Sequence, residues 1–302
     1  MNFLNEQLFL ETAIASVYGQ SHDSWELLLV DDGSTDASTE IAKRHAAHDP
    51  ARVRYLEHAG HANRGASAAR NLGLAAATGE LVAFLDADDV WLPNRLERAA
   101  ALLHAHPAAD MVYGRTEYWY SWADDPSGPT DWIQQHGFRA NRTVAAPDLL
   151  TMYLEGEASL PCMGSLTVRR AAARACGGFV DEFRGLYDDQ AFLARFCLDH
   201  DVFVSEERWD RYRQHADSMC AVAERSDAAA AARQAYFSWL TSYLEHRGLR
   251  GTRVWDALGR ALAEIHDRRW HARFARALRR VSKRVATAMQ HAERRAQDAE
   301  HD

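Results

Sequence analysis

Three carboxylates follow an apolar run in the stretch VAFLDADDVW, residues Val82–Trp91. The apolar run predicts a buried strand, and Asp86, Asp88 and Asp89 would repel one another at its end. Asp86 and Asp88 are two positions apart, so both carboxylates can face one centre and hold a divalent cation. Mg²⁺ and Mn²⁺ suit such a site, because they accept few carboxylate ligands and also bind phosphate oxygens. The alternative is an Asp-rich turn ahead of a helix that starts near Pro93.

A second acidic cluster, in VDDGSTDAS, follows the apolar run WELLLV at Trp25–Val30. Its carboxylates, Asp31 and Asp32, can accept hydrogen bonds from base N–H groups or ribose hydroxyls at the edge of a sheet. The alternative is an Asp-Gly turn in which Asp36 or Ser38 caps the next helix.

Helix and strand patterns alternate through the first 115 residues. The predicted strands are Trp25–Val30, Arg52–Glu57 and Leu81–Leu85, and the predicted helices are Leu8–Tyr18, Ser38–His48, Ala66–Ala77 and Pro93–His104. This alternation predicts a parallel sheet with helices packed on its faces. Ligands of such sheets bind at the carboxyl ends of the strands, where both acidic clusters fall.

Several other residues are candidates for chemistry. Arg70, in the segment NRGASAARNLGLAAATGE, can reach a phosphate or form an internal salt bridge with one of the acidic clusters. Asp188 and Asp189 form an acidic pair that also fits the start of a helix, near the positive end of its dipole. His215 is either a site residue or a structural or surface histidine.

The composition limits the class of protein. Of the 302 residues, 47% are apolar, which is enough for a substantial core, and no apolar run of about 18 residues predicts a membrane span. The amino-terminal segment lacks the pattern of a secretory signal, and the four cysteines have no CxxC or metal-ligand spacing. We therefore expect reduced thiols in a cytoplasmic protein. The net charge of −8 argues against nucleic acid as a partner.

The carboxyl-terminal part of the chain differs in composition. From Ala223 onward Ala, Arg and Glu dominate with helical periodicity, so we predict a main domain at 1–222 and a helical extension at 223–302. Within the extension, a basic helix is predicted at 268–285, with an apolar stripe along one face. It either lies on an anionic membrane surface, as a peripheral contact at the inner face, or packs against the acidic body or a second subunit.

Four segments together resemble a known family. They are WELLLVDDGSTDAS, NRGASAARNLGLAAATGELVAFLDADDVWLP, GSLTVRRAAARACGGFVDEFRGLYDDQAFLARF (Gly164–Phe196) and RYRQHADSMC (Arg211–Cys220). In this order, over about residues 1–220, they resemble family 2 glycosyltransferases of the GT-A fold. The first two resemble the nucleotide-binding half of that fold, and the last two resemble its acceptor side.

The resemblance implies a GT-A type α/β fold, with a Rossmann-like, mostly parallel central sheet flanked by helices and followed by the helical extension. It places a nucleotide-sugar-binding half at 1–115 and an acceptor-side half at 116–222. The family usually opens with an apolar strand that ends in Pro, and here Asn2 takes that position. We therefore expect a truncated first strand, which means either that the start codon lies upstream or that something else replaces the strand.

The resemblance also implies a reaction and the residues that perform it. A sugar would pass with inversion from a UDP-, dTDP- or GDP-sugar to a hydroxyl of a saccharide or lipid-linked acceptor, in cell-surface polysaccharide biosynthesis. A divalent cation, Mn²⁺ or Mg²⁺, would be the cofactor. The implied residues are Asp31, Asp32, Arg70 and Asp86 for the donor, Asp88, Asp86 and His215 for the metal, and Asp189 or its neighbour Asp188 as the general base. Aromatic residues between positions 113 and 132 would line the acceptor site or pack in the core.

Other functions fit the sequence less well. The main alternative is a catalytically impaired nucleotide-sugar-binding or scaffold protein on the same fold, because the first strand is truncated. Retention of Asp88 and Asp189 argues against it. A phosphatase with Asp86 as its nucleophile would need a Thr or Val-Thr pattern where Asp89 and Val90 stand. A nucleotidyltransferase would need a Gly-rich phosphate loop near the amino terminus.

Overall fold

The computed structural model describes residues 1–225 and 228–266. The strands are β1 (Asn2–Phe3), β2 (Leu27–Asp31), β3 (Val53–Glu57), β4 (Leu81–Ala83), β5 (Val90–Trp91), β6 (Met111–Trp119), β7 (Trp132–Ile133), β8 (Arg142–Val144), β9 (Leu166–Arg169) and β10 (Val202–Arg213). Each element predicted in the first 115 residues is present, within two residues of its predicted bounds. The predicted basic helix at 268–285 lies outside the described residues.

Ten α-helices are found within the described ranges. They are α1 (Leu10–Tyr18), α2 (Ser38–His48), α3 (Ala66–Ala76), α4 (Arg95–Ala105), α5 (Asp148–Glu155), α6 (Arg170–Ala175), α7 (Asp188–Asp199), α8 (Met219–Glu224), α9 (Ala228–His246) and α10 (Arg253–His266). In this part of the chain, no helix combines the length and the apolar character needed to cross a membrane.

The strands form two sheets that meet near the amino terminus. The first sheet is parallel and has the order β1-β2-β3. The second has seven strands and follows the path β4-β9-β6-β10-β5, with β7 paired to β6 and β8 paired to β10. A parallel bridge between Asn2 and Asp86 connects the two sheets. The fold is therefore of the mixed α/β class, as predicted.

Strand β2 shows how the apolar pattern positions the first acidic cluster. All five of its residues are buried, as expected for a parallel strand that is covered on both faces. Leu29 packs with Leu10 and Ile14 of α1, while Leu28 and Val30 pack with an alanine of α3. Successive side chains of a strand point to opposite faces, so packing against α1 on one face and α3 on the other holds β2 in place. The position of the acidic turn at the end of β2 is held with it.

The first strand is short. β1 contains two residues, and the ammonium group of Met1 donates a hydrogen bond to the carbonyl oxygen of Leu28 at 2.9 Å. Burial lowers the pKa of this amino group to about 5. A cavity of about 550 Å³ lies beside Met1 and is lined by residues of both β2 and β4.

The largest apolar core is shared by the second sheet and the helices that pack on it. Residues of β6, β9, β10, α5 and α7 form this core, together with residues of α9 and α10. Leu240 and Leu244 of α9 and Val254 and Leu258 of α10 are at most 1% exposed. Segments on either side of the predicted boundary at residue 222 therefore contribute to one core.

Candidate active site

An acidic cleft of about 520 Å³ runs between the two halves of the chain. Its lining residues include Glu6, Asp32, Asp86, Asp88, Asp188 and Asp189, which come from four separate segments. Within the described residues, the basic side chains that line it are those of Arg70 and Arg184. A concave surface with this excess of negative charge favours the binding of cations.

Arg70, on α3, links the acidic loop at 86–89 to the acidic pair at 188–189. Its guanidinium group donates to Asp86 Oδ1 at 2.6 Å and forms a second, short ion pair with Asp188. Burial alone would lower the pKa of Arg70, but the carboxylates of Asp188 and Asp86 raise it above its ordinary value. Arg70 thus takes the internal salt-bridge role, and it bridges two candidate groups.

The two members of the acidic pair have different surroundings. Asp188 is buried and paired with Arg70, and burial is the main cause that raises its pKa to about 7. Asp189 Oδ1 accepts a hydrogen bond from the backbone N–H of Gln190 at 2.7 Å. Burial raises the pKa of Asp189 as well. In the described part of the chain, Asp189 forms no salt bridge, so its carboxylate is the better placed of the two to accept a proton.

The loop at 86–89 is held from the end of β10. His215 Nε2 lies 3.2 Å from Asp88 Oδ2, and this hydrogen bond raises the pKa of His215. Asp89 Oδ1 accepts a hydrogen bond from the backbone N–H of Arg213 at 2.9 Å. Of the three predicted metal-site residues, His215 contacts Asp88, and Asp86 lines the same cleft as Asp88, but His215 is not among the described residues that line the cleft.

Asp86 and Asp88 fit a divalent cation by the chemistry of their donor set. Burial, followed by the charge of Asp88, raises the pKa of Glu6 to about 7, and burial with the charges of Asp88 and Asp86 raises that of Asp89. This accumulated negative charge is what a cation would offset. Within the described ranges, no group of three or more His, Cys, Asp or Glu side chains is arranged to hold a metal ion. A cation bound there would take its remaining oxygen ligands from a diphosphate or water.

The first acidic cluster is used largely within the protein. Asp31 is fully buried and accepts hydrogen bonds from the backbone of Gly33 and Ser34, from Thr39 and from Tyr55. It is not among the described residues that line the cleft.

Asp32 lines the cleft, and its two oxygens accept hydrogen bonds from the backbone N–H groups of Arg64 and Gly65, at 2.7 and 2.8 Å. Of the two, Asp32 is therefore the one with access to the cleft.

Sequence reasoning missed several residues that line the cleft, among them Glu6 and Arg184. Glu6 comes from the loop before α1, and its position depends on a hydrogen bond from its backbone N–H to Ser38 Oγ at 2.8 Å. Arg184 crosses the cleft and donates from its guanidinium group to the carbonyl and side-chain oxygens of Asn63. Glu6 is an acidic residue in the segment before α1, and this charge was the local signal for it. No local pattern marked Arg184, because its partner lies 121 residues away.

The fold and the cleft define a protein of the GT-A type, and solved structures agree. TarS of S. aureus superposes with a TM-score of 0.62 at 17% identity, over 89% of this chain and 42% of TarS. The mannosyltransferase PcManGT from Pyrobaculum calidifontis, solved with GDP-Man and Mn²⁺, gives a TM-score of 0.55 at 18% identity, over 96% of this chain and 82% of that one. At these identities the likeness establishes the fold.

The family follows from the sequence comparison. The model of glycosyl transferase family 2 matches residues 1–155, just over half of the chain, and the chain belongs to this family. A glycosyltransferase of Nostoc sp. is 46% identical over 109 residues, which are 36% of this chain and 33% of that protein. TuaG of Bacillus subtilis, provisionally described as a teichuronic acid biosynthesis glycosyltransferase, is 42% identical over 95 residues, 31% of this chain and 36% of TuaG. This chain thus spans about a third of the length of these relatives.

Proposed function

We propose that this protein transfers a sugar, with inversion, from a nucleotide-diphosphate-sugar to a hydroxyl group of an acceptor. The observation that carries the proposal is the bridge made by Arg70 between Asp86 and Asp188. It holds a candidate cation-binding loop and a candidate base on the two sides of one cleft. The neighbours TarS, solved with UDP-GlcNAc, and PcManGT, solved with GDP-Man and Mn²⁺, support this class of donor.

In this proposal, Asp86 and Asp88 hold a divalent cation, Mn²⁺ or Mg²⁺, with His215 fixing the orientation of Asp88. When bound, the cation would offset the negative charge that develops on the departing nucleotide diphosphate. Asp32 binds the nucleoside. Asp31 holds the turn that follows β2, through the hydrogen bonds to its buried carboxylate.

Asp189 acts as the general base in the transfer step. Its carboxylate accepts the proton of the acceptor hydroxyl while the hydroxyl oxygen forms a bond to the anomeric carbon. The bond from that carbon to the diphosphate oxygen breaks with its electron pair on the leaving group, so a single displacement inverts the anomeric centre. Asp188 keeps Arg70 in place and does not take the proton.

The acceptor is a saccharide or a lipid-linked saccharide of a cell-surface polysaccharide. The description of TuaG supports this class. Tyr118 and Tyr212 line the cleft and offer aromatic faces or edges to a sugar ring. Trp132 stacks on Tyr118 with 4.0 Å between the ring centres and so holds it in place.

Thermal unfolding in the presence of donors tests the proposal. A ligand that binds the native state raises the melting temperature, by about 5 °C or more at 100 times its Kd. We expect such a rise with one nucleotide class among UDP-, GDP- and dTDP-sugars, larger with Mn²⁺ than with EDTA. No rise with any of these donors, and no transfer or donor hydrolysis, would contradict the proposal. Donor binding without any turnover would favour the impaired, nucleotide-sugar-binding alternative.

The metal assignment has its own test. Asp88→Ala should abolish the Mn²⁺-dependent part of the shift while leaving the melting temperature of the protein alone nearly unchanged. Asp217→Ala is the matched control, because it removes a negative charge from the same cleft without changing the 86–89 loop. An Mn²⁺-dependent shift that survives in Asp88→Ala would refute the assignment.

A further inference from the structure

Three aromatic rings surround the guanidinium group of Arg213, the last residue of β10. The guanidinium carbon lies 4.7 Å from the ring centre of Phe9, 4.5 Å from that of Trp119 and 5.1 Å from that of Trp122. Arg213 is 5% exposed. Cation–π contacts of this kind are worth about 0.5–2 kcal/mol each, with the larger values at desolvated sites. We call Phe9, Trp119 and Trp122 the aromatic cage.

Arg213 is also attached to the acidic loop at two points. Its Nε donates to the backbone carbonyl oxygen of Asp88 at 2.7 Å, and its backbone N–H donates to Asp89 Oδ1 at 2.9 Å. Two residues further on, His215 contacts the Asp88 carboxylate. Segment 213–215 therefore contacts the 86–89 loop at three points. These are the backbone carbonyl of Asp88, the buried carboxylate of Asp89 and the carboxylate of Asp88, which faces the cleft.

The aromatic cage determines which oxygen atom Arg213 can reach. In the described part of the chain, the guanidinium group donates to the Asp88 carbonyl and to no carboxylate. A guanidinium group free to turn would pair with the Asp88 carboxylate and would then compete with any cation for it. Trp122 is fixed in turn, since its Nε1 donates to the carbonyl oxygen of Gln214 at 2.9 Å.

Phe9 extends the cage to the amino-terminal loop. Its ring lies 4.9 Å from that of His215, between ring centres, and 5.5 Å from that of Trp122. The same loop carries Glu6, which lines the cleft. Arg213 itself is not among the described residues that line the cleft and is almost fully buried, so we assign it no direct contact with a donor.

We propose that Arg213 is a positioning residue that, held by the aromatic cage, presents the 86–89 loop to a divalent cation while leaving the Asp88 carboxylate available. This inference rests on the proposed function. It gives Trp119 and Trp122, two of the aromatics between positions 113 and 132, a role in supporting the donor side rather than in lining the acceptor site.

Binding of Mn²⁺ to the full-length protein, measured from the electron paramagnetic resonance signal of free Mn²⁺, tests the proposal without relying on turnover. We expect Arg213→Gln to raise the Kd for Mn²⁺ at least 10-fold, both alone and with UDP or GDP. Arg211→Gln is the matched control. Arg211 lies on the same strand and over the ring of Trp119 at 5.3 Å, but its Nε donates to Glu117 and not to the loop. It should change the Kd less than 3-fold.

Two further variants separate positioning from a general loss of structure. Trp122→Leu opens the cage at a partly exposed side chain and should raise the Kd for Mn²⁺ about 3- to 10-fold in a folded protein. Arg213→Lys keeps the charge in the cage and should recover part of the loss. In transfer assays the defect should appear as a raised KM for Mn²⁺, with kcat near that of the wild type at saturating Mn²⁺.

The outcomes distinguish this inference from the proposed function. A wild-type protein that binds neither Mn²⁺ nor any nucleotide would overturn the proposed function. If the wild-type protein binds Mn²⁺, and Arg213→Gln and Trp122→Leu bind it as tightly as Arg211→Gln does, the positioning role alone is overturned. If Arg213→Gln does not fold, the Trp122→Leu result decides.

Discussion

Two adjacent carboxylates at the start of α7 have different partners, so their substitutions should have different effects. Asp189→Asn removes the proposed base and leaves the Arg70 bridge intact, so we expect kcat to fall about 10²–10⁴-fold with donor binding unchanged. Asp188→Asn breaks a buried ion pair and leaves Arg70 without one of its two carboxylates. It should lower the free energy of unfolding by about 3 kcal/mol and weaken donor binding.

Steady-state kinetics and urea unfolding of the two variants check this contrast. Each variant is the control for the other, since both replace one carboxylate of the same pair with an amide. The assignment is reversed if transfer survives in Asp189→Asn and disappears in Asp188→Asn without loss of stability.

Asp210 should make stability depend on pH. It is fully buried, Thr116 donates to its Oδ1 at 2.8 Å, and within the described part of the chain its Oδ2 has no hydrogen-bond partner. Burial raises its pKa to about 7, against the opposing effects of Thr116 and the Arg95 guanidinium. The folded state therefore holds a proton that the unfolded state has lost, and stability falls as pH rises from about 4 to 7.

Asp210→Asn should remove this dependence. The free energy of unfolding of the variant, minus that of the wild type, should rise by on the order of 4 kcal/mol between pH 4 and pH 8, since the pKa is raised by about three units and one unit is worth about 1.4 kcal/mol. Parallel pH profiles of the two proteins would refute the prediction.

At the residue scale, the sequence indicated candidate residues but not their contacts. Asp86, Asp88 and Asp189 were assigned from their positions after an apolar run and within family motifs, and the structure places all three on one cleft. The pairing of Arg70 with Asp188 joins residues 118 positions apart, and no local pattern encodes it. Asp31 and Asp32 had the same predicted role in donor binding. Sequence spacing does not reveal that the Asp31 carboxylate already accepts four hydrogen bonds within the protein.

At the element scale, the turn into α3 controls the donor side of the cleft. Gly65 precedes the helix with φ 93° and ψ 160°, a conformation that is nearly restricted to glycine. A Cβ atom there would lie 2.7 Å from Cβ and 2.8 Å from Cα of Arg184. Gly65→Ala should therefore cost about 2–4 kcal/mol of stability and displace both the Asp32 contact and the Arg184 segment.

Gly60→Ala is the matched control for this prediction. Gly60 also has a positive φ, of 70°, but a Cβ atom there meets nothing within 4 Å. It should cost about 1 kcal/mol and leave the KM for the donor unchanged, whereas Gly65→Ala should raise that KM about 10-fold or more. If Gly60→Ala and Gly65→Ala have equal effects on thermal unfolding and on the donor KM, the close approach of Arg184 to position 65 contributes to neither.

The predictability of the elements depended on their periodicity. The three strands and four helices predicted before residue 115 lie within two residues of their predicted bounds, because short apolar strands and amphipathic helices give clear patterns, whereas the two-residue strand β5 was not predicted. Strand β10 was not predicted as one element. Register shifts after Val204 and Arg208 interrupt its pairing with β6, so buried and exposed positions do not alternate along VFVSEERWDRYR.

At the scale of the whole molecule, the helical extension supports the acidic pair. The ring of Tyr236 on α9 stacks on Tyr187, the residue before Asp188, with 5.1 Å between ring centres. Trp239 contacts Phe183 in the same segment. The sequence identified the change of composition near residue 222, but it gave no sign that α9 packs beside the cleft. Such contacts depend on tertiary packing, which periodicity alone does not specify.

A chain that ends at residue 222 should therefore be much less stable than one that ends at residue 266. The shorter chain loses α9 and α10 and exposes the apolar faces of α5 and α7 that they cover. We expect its melting temperature to fall by more than about 10 °C, or the protein to aggregate, since each large apolar side chain removed from a core costs about 2–5 kcal/mol. The chain ending at 266 is the control, because it keeps every described contact.

Point substitutions on α9 test the same idea without truncation. Leu240→Ala should lower the free energy of unfolding by about 2–5 kcal/mol, whereas Ser242→Ala, at an exposed position two residues away, should change it by less than about 0.5 kcal/mol. Leu240→Ala should also reduce transfer activity near its melting range, because the acidic pair loses its support from α9. If the chain ending at 222 melts within a few degrees of the longer one, and Leu240→Ala is neutral, the extension is an independent unit and the body at 1–222 forms the active site alone.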